Sequence, residues 1–309
     1  MATEPLATVI VLTYKRFDNL EKNINSILIQ SYKNIEIVIS DDGSENFDLD
    51  KIRTLFKGEI NYGFKILHSD TNLGTVRNFT KAVKCSKGEY IIPLSQDDCF
   101  ANSTVIEDIV SFFEKNGCDF VTAKRKGART GMIWPSQNDS LLLHDKSEML
   151  VARLLISNFI SGSCLYYKRK ALISNGLFDL DFIFLEDYPF ILKIILQGKV
   201  IEYIDRVVII YGERGVSNKG NKTNILYKQD CLKVIEKFIL PNLDLVRSKL
   251  GRRLILCNYE LLNSTTLKKA LIAIKYFDLT VIKLYMLVSR SDISTIFHKL
   301  LLPLLDKKE

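Results

Sequence analysis

Residues 94–98 read Leu-Ser-Gln-Asp-Asp and set two adjacent carboxylates, Asp97 and Asp98, directly behind the apolar run 90–93. Neighbouring carboxylates repel one another when unpaired. A hard divalent cation relieves that repulsion, and Mg²⁺ needs only one or two carboxylates when phosphates complete its shell. A Mn²⁺ or Mg²⁺ centre at Asp97 and Asp98 is therefore the first expectation, against the plainer one that Asp98 caps the following loop or helix. A second acidic pair, Glu186-Asp187, precedes Pro189. Proline favours the first turn of a helix, so this pair is expected at a helix N-terminus, where the dipole lowers carboxylate pKa values. It is either proton-transfer machinery or an ordinary N-cap. Asp41-Asp42-Gly43-Ser44 forms a turn on its own chemistry, or offers Asp42 as an acceptor to a ligand N–H. Tyr14 offers a ring for stacking, with Thr13 and Arg16 as polar neighbours. Arg77, in Asn-Leu-Gly-Thr-Val-Arg-Asn (72–78), is either a ligand contact or a solvated helix residue.

These residues lie where strands end. Residues 6–13, Leu-Ala-Thr-Val-Ile-Val-Leu-Thr, form a β-branched run of the kind covered on both faces of a sheet. A helix is expected over 18–30, then strands at 35–40 and 64–69, a helix over 75–85, a strand at 89–95, a helix over 103–115 and a strand at 119–123. Strands alternating with helices imply a largely parallel sheet with right-handed crossovers, and in such sheets ligands sit at the carboxyl ends of the strands. Four successive ends carry Thr13 to Arg16, Asp41 to Ser44, Asp70 to Gly74 and Ser95 to Asp98. Their convergence on one edge predicts a site. Residues 124–140 read as a polar loop, helical periodicity returns at 145–157, and from residue 223 everything reads helical.

The 309 residues suffice for one large domain or two smaller ones, and 47% apolar with 26% charged residues is ordinary for a soluble globular protein. No secretory signal is visible at the start, and no stretch of about 18 uncharged apolar residues predicts a transmembrane helix. The six cysteines include no C-x-x-C pair and the three histidines are far apart, which argues against structural zinc and for free thiols. From residue 218 onward there are 17 Lys+Arg against 8 Asp+Glu, whereas residues 1–217 hold 26 against 28. The basic third is expected to face something anionic, such as a membrane surface or a phosphorylated acceptor. No nucleic-acid-binding module is present.

Taken in order, "VIVLTYKRFDNLEKNINSILIQSYKNIEIVISDDGS", "NLGTVRN", "GEYIIPLSQDD" and "FDLDFIFLEDYPFILKIILQGK" make the chain resemble a family 2 inverting glycosyltransferase of the GT-A fold, over 6–217. The resemblance implies an α/β, Rossmann-like and mostly parallel central sheet with flanking helices; the helical C-terminal region matches no motif of the family. The change in charge near 218 then separates a catalytic domain 1–217, with a nucleotide-sugar half 1–124 and an acceptor half 125–217, from a helical, basic region 218–309. The resemblance also implies transfer of a sugar from a nucleoside-diphosphate donor, a UDP-hexose first, to an oligosaccharide or lipid-linked acceptor in bacterial surface-glycan synthesis. The place implied is the cytoplasm, with a peripheral position at the inner membrane as an option.

By that resemblance Asp187 aligns with the general base and Glu186 orients acceptor or donor, while Thr13, Tyr14, Arg16, Asp42, Arg77, Ser95, Gln96 and Asp97 bind the nucleotide sugar. Asp42 would accept from a pyrimidine ring N–H. Asp97 aligns with the main metal ligand. Ser95 replaces the first carboxylate of the Asp-x-Asp pattern, so its contact would pass to the Ser95 hydroxyl or the Gln96 amide. The loops at 161–163 and 214–217 would line acceptor and diphosphate, and no histidine lies between 145 and 297 to serve as an extra ligand. Two other readings stay open. A nucleotidyltransferase would need a glycine-rich loop after the first strand, which 13–19 lacks; an inactive nucleotide-sugar-binding scaffold is prompted by Ser95 and opposed by Asp97, Asp98 and Asp187. In the C-terminal region Lys268, Lys275, Lys283 and Arg290 share one helical stripe opposite Ala270, Ile274, Phe277, Val281, Leu284 and Val288. That pattern suits peripheral membrane contact through 264–305 or an apolar face packed on the domain.

Overall fold

The protein is described by a computed structural model, covering residues 4–56, 63–146, 148–212 and 225–279. Nine strands form one sheet: β1 Ala7–Thr13, β2 Ile35–Asp41, β3 Gly63–His68, β4 Tyr90–Ser95, β5 Cys99–Phe100, β6 Phe120–Gly127, β7 Ile133–Trp134, β8 Leu165–Lys168 and β9 Glu202–Tyr211. Their order is β3-β2-β1-β4-β8-β6-β9-β5, with β7 paired to β6. The long pairings are parallel: β1 with β2 and β4, β2 with β3, and β6 with β9. The antiparallel pairings involve two or three residues each.

Helices are α1 Leu20–Leu28, α2 Leu49–Thr54, α3 Thr75–Cys85, α4 Val105–Asn116, α5 Gln137–Asp145, α6 Glu148–Ile156, α7 Arg169–Ser174, α8 Asp187–Leu196, α9 Ile225–Val234, α10 Lys249–Leu262 and α11 Thr266–Lys275. The β-branched strands work because both faces are covered. Val9, Val11, Ile37, Ile39 and Ile92 pack with Leu20, Ile24 and Ile27 of α1 and Ile106, Ile109 and Phe113 of α4. The aromatic rings of Phe79, Phe120, Tyr167, Phe178 and Phe190 interlock largely edge-to-face in a second layer. Fully burying each such side chain is worth about 1.5–3 kcal/mol.

Residues 124–127 are not loop: they prolong β6 and pair with β9 as far as Tyr211. Their lysine and arginine side chains hid a strand whose ladder does not depend on apolar residues. Gln137 then opens a helix because Ser136 caps it, its Oγ accepting from the Asp139 N–H at 3.2 Å. The compact units also divide elsewhere than at 217. One comprises residues 1–134 and 160–227; the other comprises 135–159 with 228–309. In the second, Glu148 of α6 meets Arg247 at 2.6 Å, and the Gly251 backbone of α10 lies close to Ile156. Buried Arg153 is paired to buried Asp139 at 3.0 Å. Also in it, Leu271, Ile274 and Phe277 of the α11 segment are 68–72% exposed. The rest of the basic stripe, Lys283 and Arg290, and the loop 214–217 lie outside the described residues. All six cysteines are free. Among the described residues no helix is long and apolar enough to cross a membrane.

Candidate active site

The carboxyl ends of β1, β2 and β4 are joined by side chains that a sheet alone would not supply. Asp41, fully buried, accepts at one oxygen from Thr13 Oγ1 (3.0 Å) and Ser44 Oγ (2.6 Å); its other oxygen accepts from the Ser44 N–H (2.8 Å) and meets His68 Nδ1 at 2.8 Å. Thr13 is thus committed to the interior. Asp42 accepts from the Leu73 and Gly74 N–H groups at 2.8 and 3.0 Å, and burial raises its pKa against those two hydrogen bonds. It pins the loop before α3. Tyr14 stands at the surface, 36% exposed, with the Lys15 ammonium 5.2 Å from its ring centroid. Arg16 is exposed beside it. Arg77 donates to the Leu180 carbonyl at 3.2 Å and so reaches the segment that leads into α8.

At the end of β4 the four residues of the turn part company. Ser95 is exposed, Asp97 is half-buried, and Gln96 and Asp98 are buried. The Gln96 amide faces the Tyr14 backbone, donating to its carbonyl (3.1 Å) and accepting from its N–H (3.0 Å). Of the two groups expected to replace the missing carboxylate, only the Ser95 hydroxyl remains turned outward. Asp98 accepts from the Gly212 N–H at 2.8 Å through one oxygen, while the other is buried without a partner. Burial pushes its carboxyl up to about 7, against that hydrogen bond and the charge of Arg125. Gly212 lies so close that a Cβ there would collide with the Asp97 backbone carbonyl. A half-buried carboxylate beside an orphaned buried one is a donor set that fits a hard cation completed by phosphates. Among the described residues no group of three His, Cys, Asp or Glu side chains gathers to hold one without them.

Glu186 and Asp187 sit at the start of α8, and Glu186 makes no capping hydrogen bond. Gly162 lies against Asp187; a Cβ there would come 3.0 Å from Asp187 Oδ2, so any larger residue would press on that carboxylate. Burial, then the adjacent Asp187, raises the Glu186 pKa. Burial likewise raises Asp187, opposed by N–H hydrogen bonds that include Tyr188 at 2.6 Å and by the charge of Arg125. The helix N-terminus was expected to lower both. Desolvation, joined at Glu186 by the charge of Asp187, outweighs the dipole because the pair, though partly accessible, is enclosed by protein.

Two residues escape sequence reasoning. Arg125, hidden in the supposed loop, stacks its guanidinium 3.8 Å from the centroid of the Tyr211 ring, and its charge bears on Asp98 and Asp187 alike. Asn23, fully buried, donates to the Ser95 and Asp98 carbonyls at 2.9 and 2.7 Å and so holds the acidic turn from α1. A polar residue on the apolar face of α1, between Leu20 and Ile24, was the available signal. The basic groove of about 670 Å³ lined by residues such as Leu6, Lys87, Lys168 and Arg169 opens at the opposite edge of the sheet and includes none of these residues.

The chain is similar to several known glycosyltransferases. An uncharacterized glycosyltransferase of Haemophilus influenzae is 27% identical, spanning 99% of this chain and 94% of its own length. The uncharacterized glycosyltransferase EpsJ of Bacillus subtilis is 27% identical over 72% of this chain and 64% of its own. Among solved structures, S. aureus TarS 1-349 in complex with UDP-GlcNAc aligns with a TM-score of 0.61 at 20% identity, covering 82% of this chain and 71% of that one. The mannosyltransferase PcManGT of Pyrobaculum calidifontis, in complex with GDP-Man and Mn²⁺, aligns at 0.62 and 16% identity over 96% and 86%. The chain spans 42% of a longer TarS structure. The fold shared with these enzymes is the GT-A type. Residues 8–176 match Glycosyl transferase family 2, more than half of the chain, and the protein belongs to that family.

Proposed function

We propose that this glycosyltransferase moves a hexose, with inversion, from a nucleoside-diphosphate donor, UDP-linked in the first instance, to a saccharide acceptor carried on a lipid in bacterial surface-glycan synthesis. The observation that carries the reading is the acidic pair Glu186-Asp187, enclosed and raised in pKa, with the charge of Arg125 bearing on both Asp187 and Asp98. The nucleotide-sugar ligands of the two structural neighbours support the donor class.

The base of the nucleotide stacks on Tyr14, with Arg16 beside it. Asp97, with the orphaned oxygen of Asp98, holds Mn²⁺ or Mg²⁺. When bound, such a cation neutralises the charge developing on the leaving diphosphate. The acceptor hydroxyl oxygen forms the bond to the anomeric carbon as the bond to the diphosphate oxygen breaks, and the proton passes to Asp187. Glu186 orients the acceptor or donor, and burial raises the Asp187 pKa, which makes it a stronger base than an ordinary aspartate. Arg125 stabilises the anionic side chains around the reacting centre. For the lipid-linked acceptor, the exposed Leu271, Ile274 and Phe277 with Lys268 and Lys269 nearby suit an anionic bilayer surface.

The decisive experiment incubates the protein with radiolabelled UDP- and GDP-sugars and Mn²⁺, following release of nucleotide and transfer to lipid extracts. Metal-dependent turnover that Asp187→Asn abolishes is expected. Tight donor binding without hydrolysis or transfer across a wide acceptor panel would sink the enzymatic reading in favour of a binding scaffold.

A further inference from the structure

The turn that presents Tyr14 is held more tightly than a surface turn needs. Lys15 adopts φ 59°, a left-handed conformation that side chains bearing a Cβ disfavour. Such strain persists only where surrounding contacts over-determine it, and here they do. The Lys15 N–H donates to Ser44 Oγ at 2.7 Å, the Asn46 amide donates to the Lys15 carbonyl at 3.2 Å, and the Arg16 N–H closes onto the Tyr14 carbonyl at 2.7 Å. The remaining polar groups of Tyr14 go to one side chain. Gln96 accepts from the Tyr14 N–H and donates to the Tyr14 carbonyl, at 3.0 and 3.1 Å, while only 7% exposed. A primary amide alone among side chains of this size supplies one donor and one acceptor in that geometry.

Gln96 therefore serves two turns at once. Its backbone belongs to the turn that presents Asp97, and its own N–H donates to the Leu12 carbonyl at 3.1 Å. Its side chain belongs to the turn that presents Tyr14. We propose that Gln96 is a positioning residue for the nucleotide: it touches no ligand, but holds the Tyr14 ring in the conformation that a nucleoside-diphosphate base stacks on. This rests on the donor-site reading above. Without the amide, the Tyr14 N–H loses the Gln96 acceptor, its carbonyl keeps only the Arg16 N–H, and the turn at Lys15 is held less tightly. Binding then has to order the turn, which weakens affinity. Chemistry at Asp187 is untouched, because that residue is held from Gly162 and α8.

The test is titration calorimetry of the full chain with UDP and with GDP, each in Mn²⁺ and in EDTA. Gln96→Met keeps the volume and removes both hydrogen bonds; the Kd for the nucleotide that binds is expected to rise about tenfold. The same factor should appear in EDTA, and donor KM should rise with kcat unchanged at saturation. In a Tyr14→Ala background the substitution should cost nothing further, since the contact it serves is already gone. A merely structural role would lower the melting temperature and leave these ratios alone. If Gln96→Met does not fold, Gln96→Glu takes its place: it retains the acceptor, loses the donor, and should weaken binding in the same direction. Unchanged affinity in a folded variant, full additivity with Tyr14→Ala, or a loss seen only with Mn²⁺ would overturn the proposal alone. Failure of the wild-type chain to bind either nucleotide would overturn the donor-site reading and this proposal with it.

Discussion

The two acidic centres of the site are built on opposite principles. At the ends of β1 and β2, Asp41 is buried among four polar contacts and Asp42 has two backbone N–H groups, so that charge is met by hydrogen bonds. At the start of α8, Glu186 and Asp187 share a protein-enclosed position in which burial raises both pKa values, and the charge of Asp187 raises that of Glu186 further. Carboxylates held by hydrogen bonds stabilise a fixed shape; a buried pair with raised pKa values takes up a proton more readily, which suits a group that must accept one. In the proposed mechanism the first centre serves as scaffold and the α8 pair as reagent.

Asp187→Asn should break that contrast most severely, lowering kcat by about 10²–10⁴, the usual span for a lost general base, in a transfer assay with the protein still melting cooperatively. Asp97→Ala should follow, abolishing Mn²⁺-dependent donor turnover; hydrolysis that persists with its metal dependence intact would remove Asp97 from the cation site. On the scaffold side, Asn23→Ala strips a buried donor from the Ser95 and Asp98 carbonyls and should cost about 1–3 kcal/mol in denaturant unfolding. A variant as stable as wild type would show that the acidic turn holds itself.

A pH experiment sharpens the comparison further. A carboxyl whose folded pKa is raised above its unfolded value favours the folded state at low pH, and that advantage is lost as pH rises toward the folded pKa. Glu186→Gln removes one of the two charges, so its melting temperature relative to wild type should increase from pH 5 to pH 8, by ~2–4 °C. A difference that is flat with pH would mean the pair is not under electrostatic stress. Smallest of all, Ser95→Ala should change kcat by less than about threefold, since a hydroxyl contributes little where phosphates complete the metal shell. A folded but inactive Ser95→Ala variant would make that hydroxyl essential to the triplet.

Much of this was legible in the residues themselves. Continuous β-branched runs such as 6–13 signal doubly covered strands, because period and composition are local properties. The alternation of such runs with amphipathic helices then dictates which ends carry Tyr14, Asp42, Asp97 and Asp187. The extension of β6 through Lys124 and Arg125 was not legible, since charged side chains say nothing about a backbone ladder that β9 supplies. Nor was the grouping of residues 135–159 with the C-terminal helices, which depends on contacts between segments far apart in sequence.

The sequence by itself determined the family, the parallel sheet and the set of acidic residues on its active edge, because these follow from residue type and spacing. Only the tertiary structure decided what each does there. Burial outweighs the helix dipole and raises the pKa values of Glu186 and Asp187. Distant partners turn Asp42, Gln96 and Asn23 into struts, and leave Tyr14, Ser95 and Asp97 facing outward. Desolvation and hydrogen-bond partnership are properties of position in space, and no local pattern encodes them.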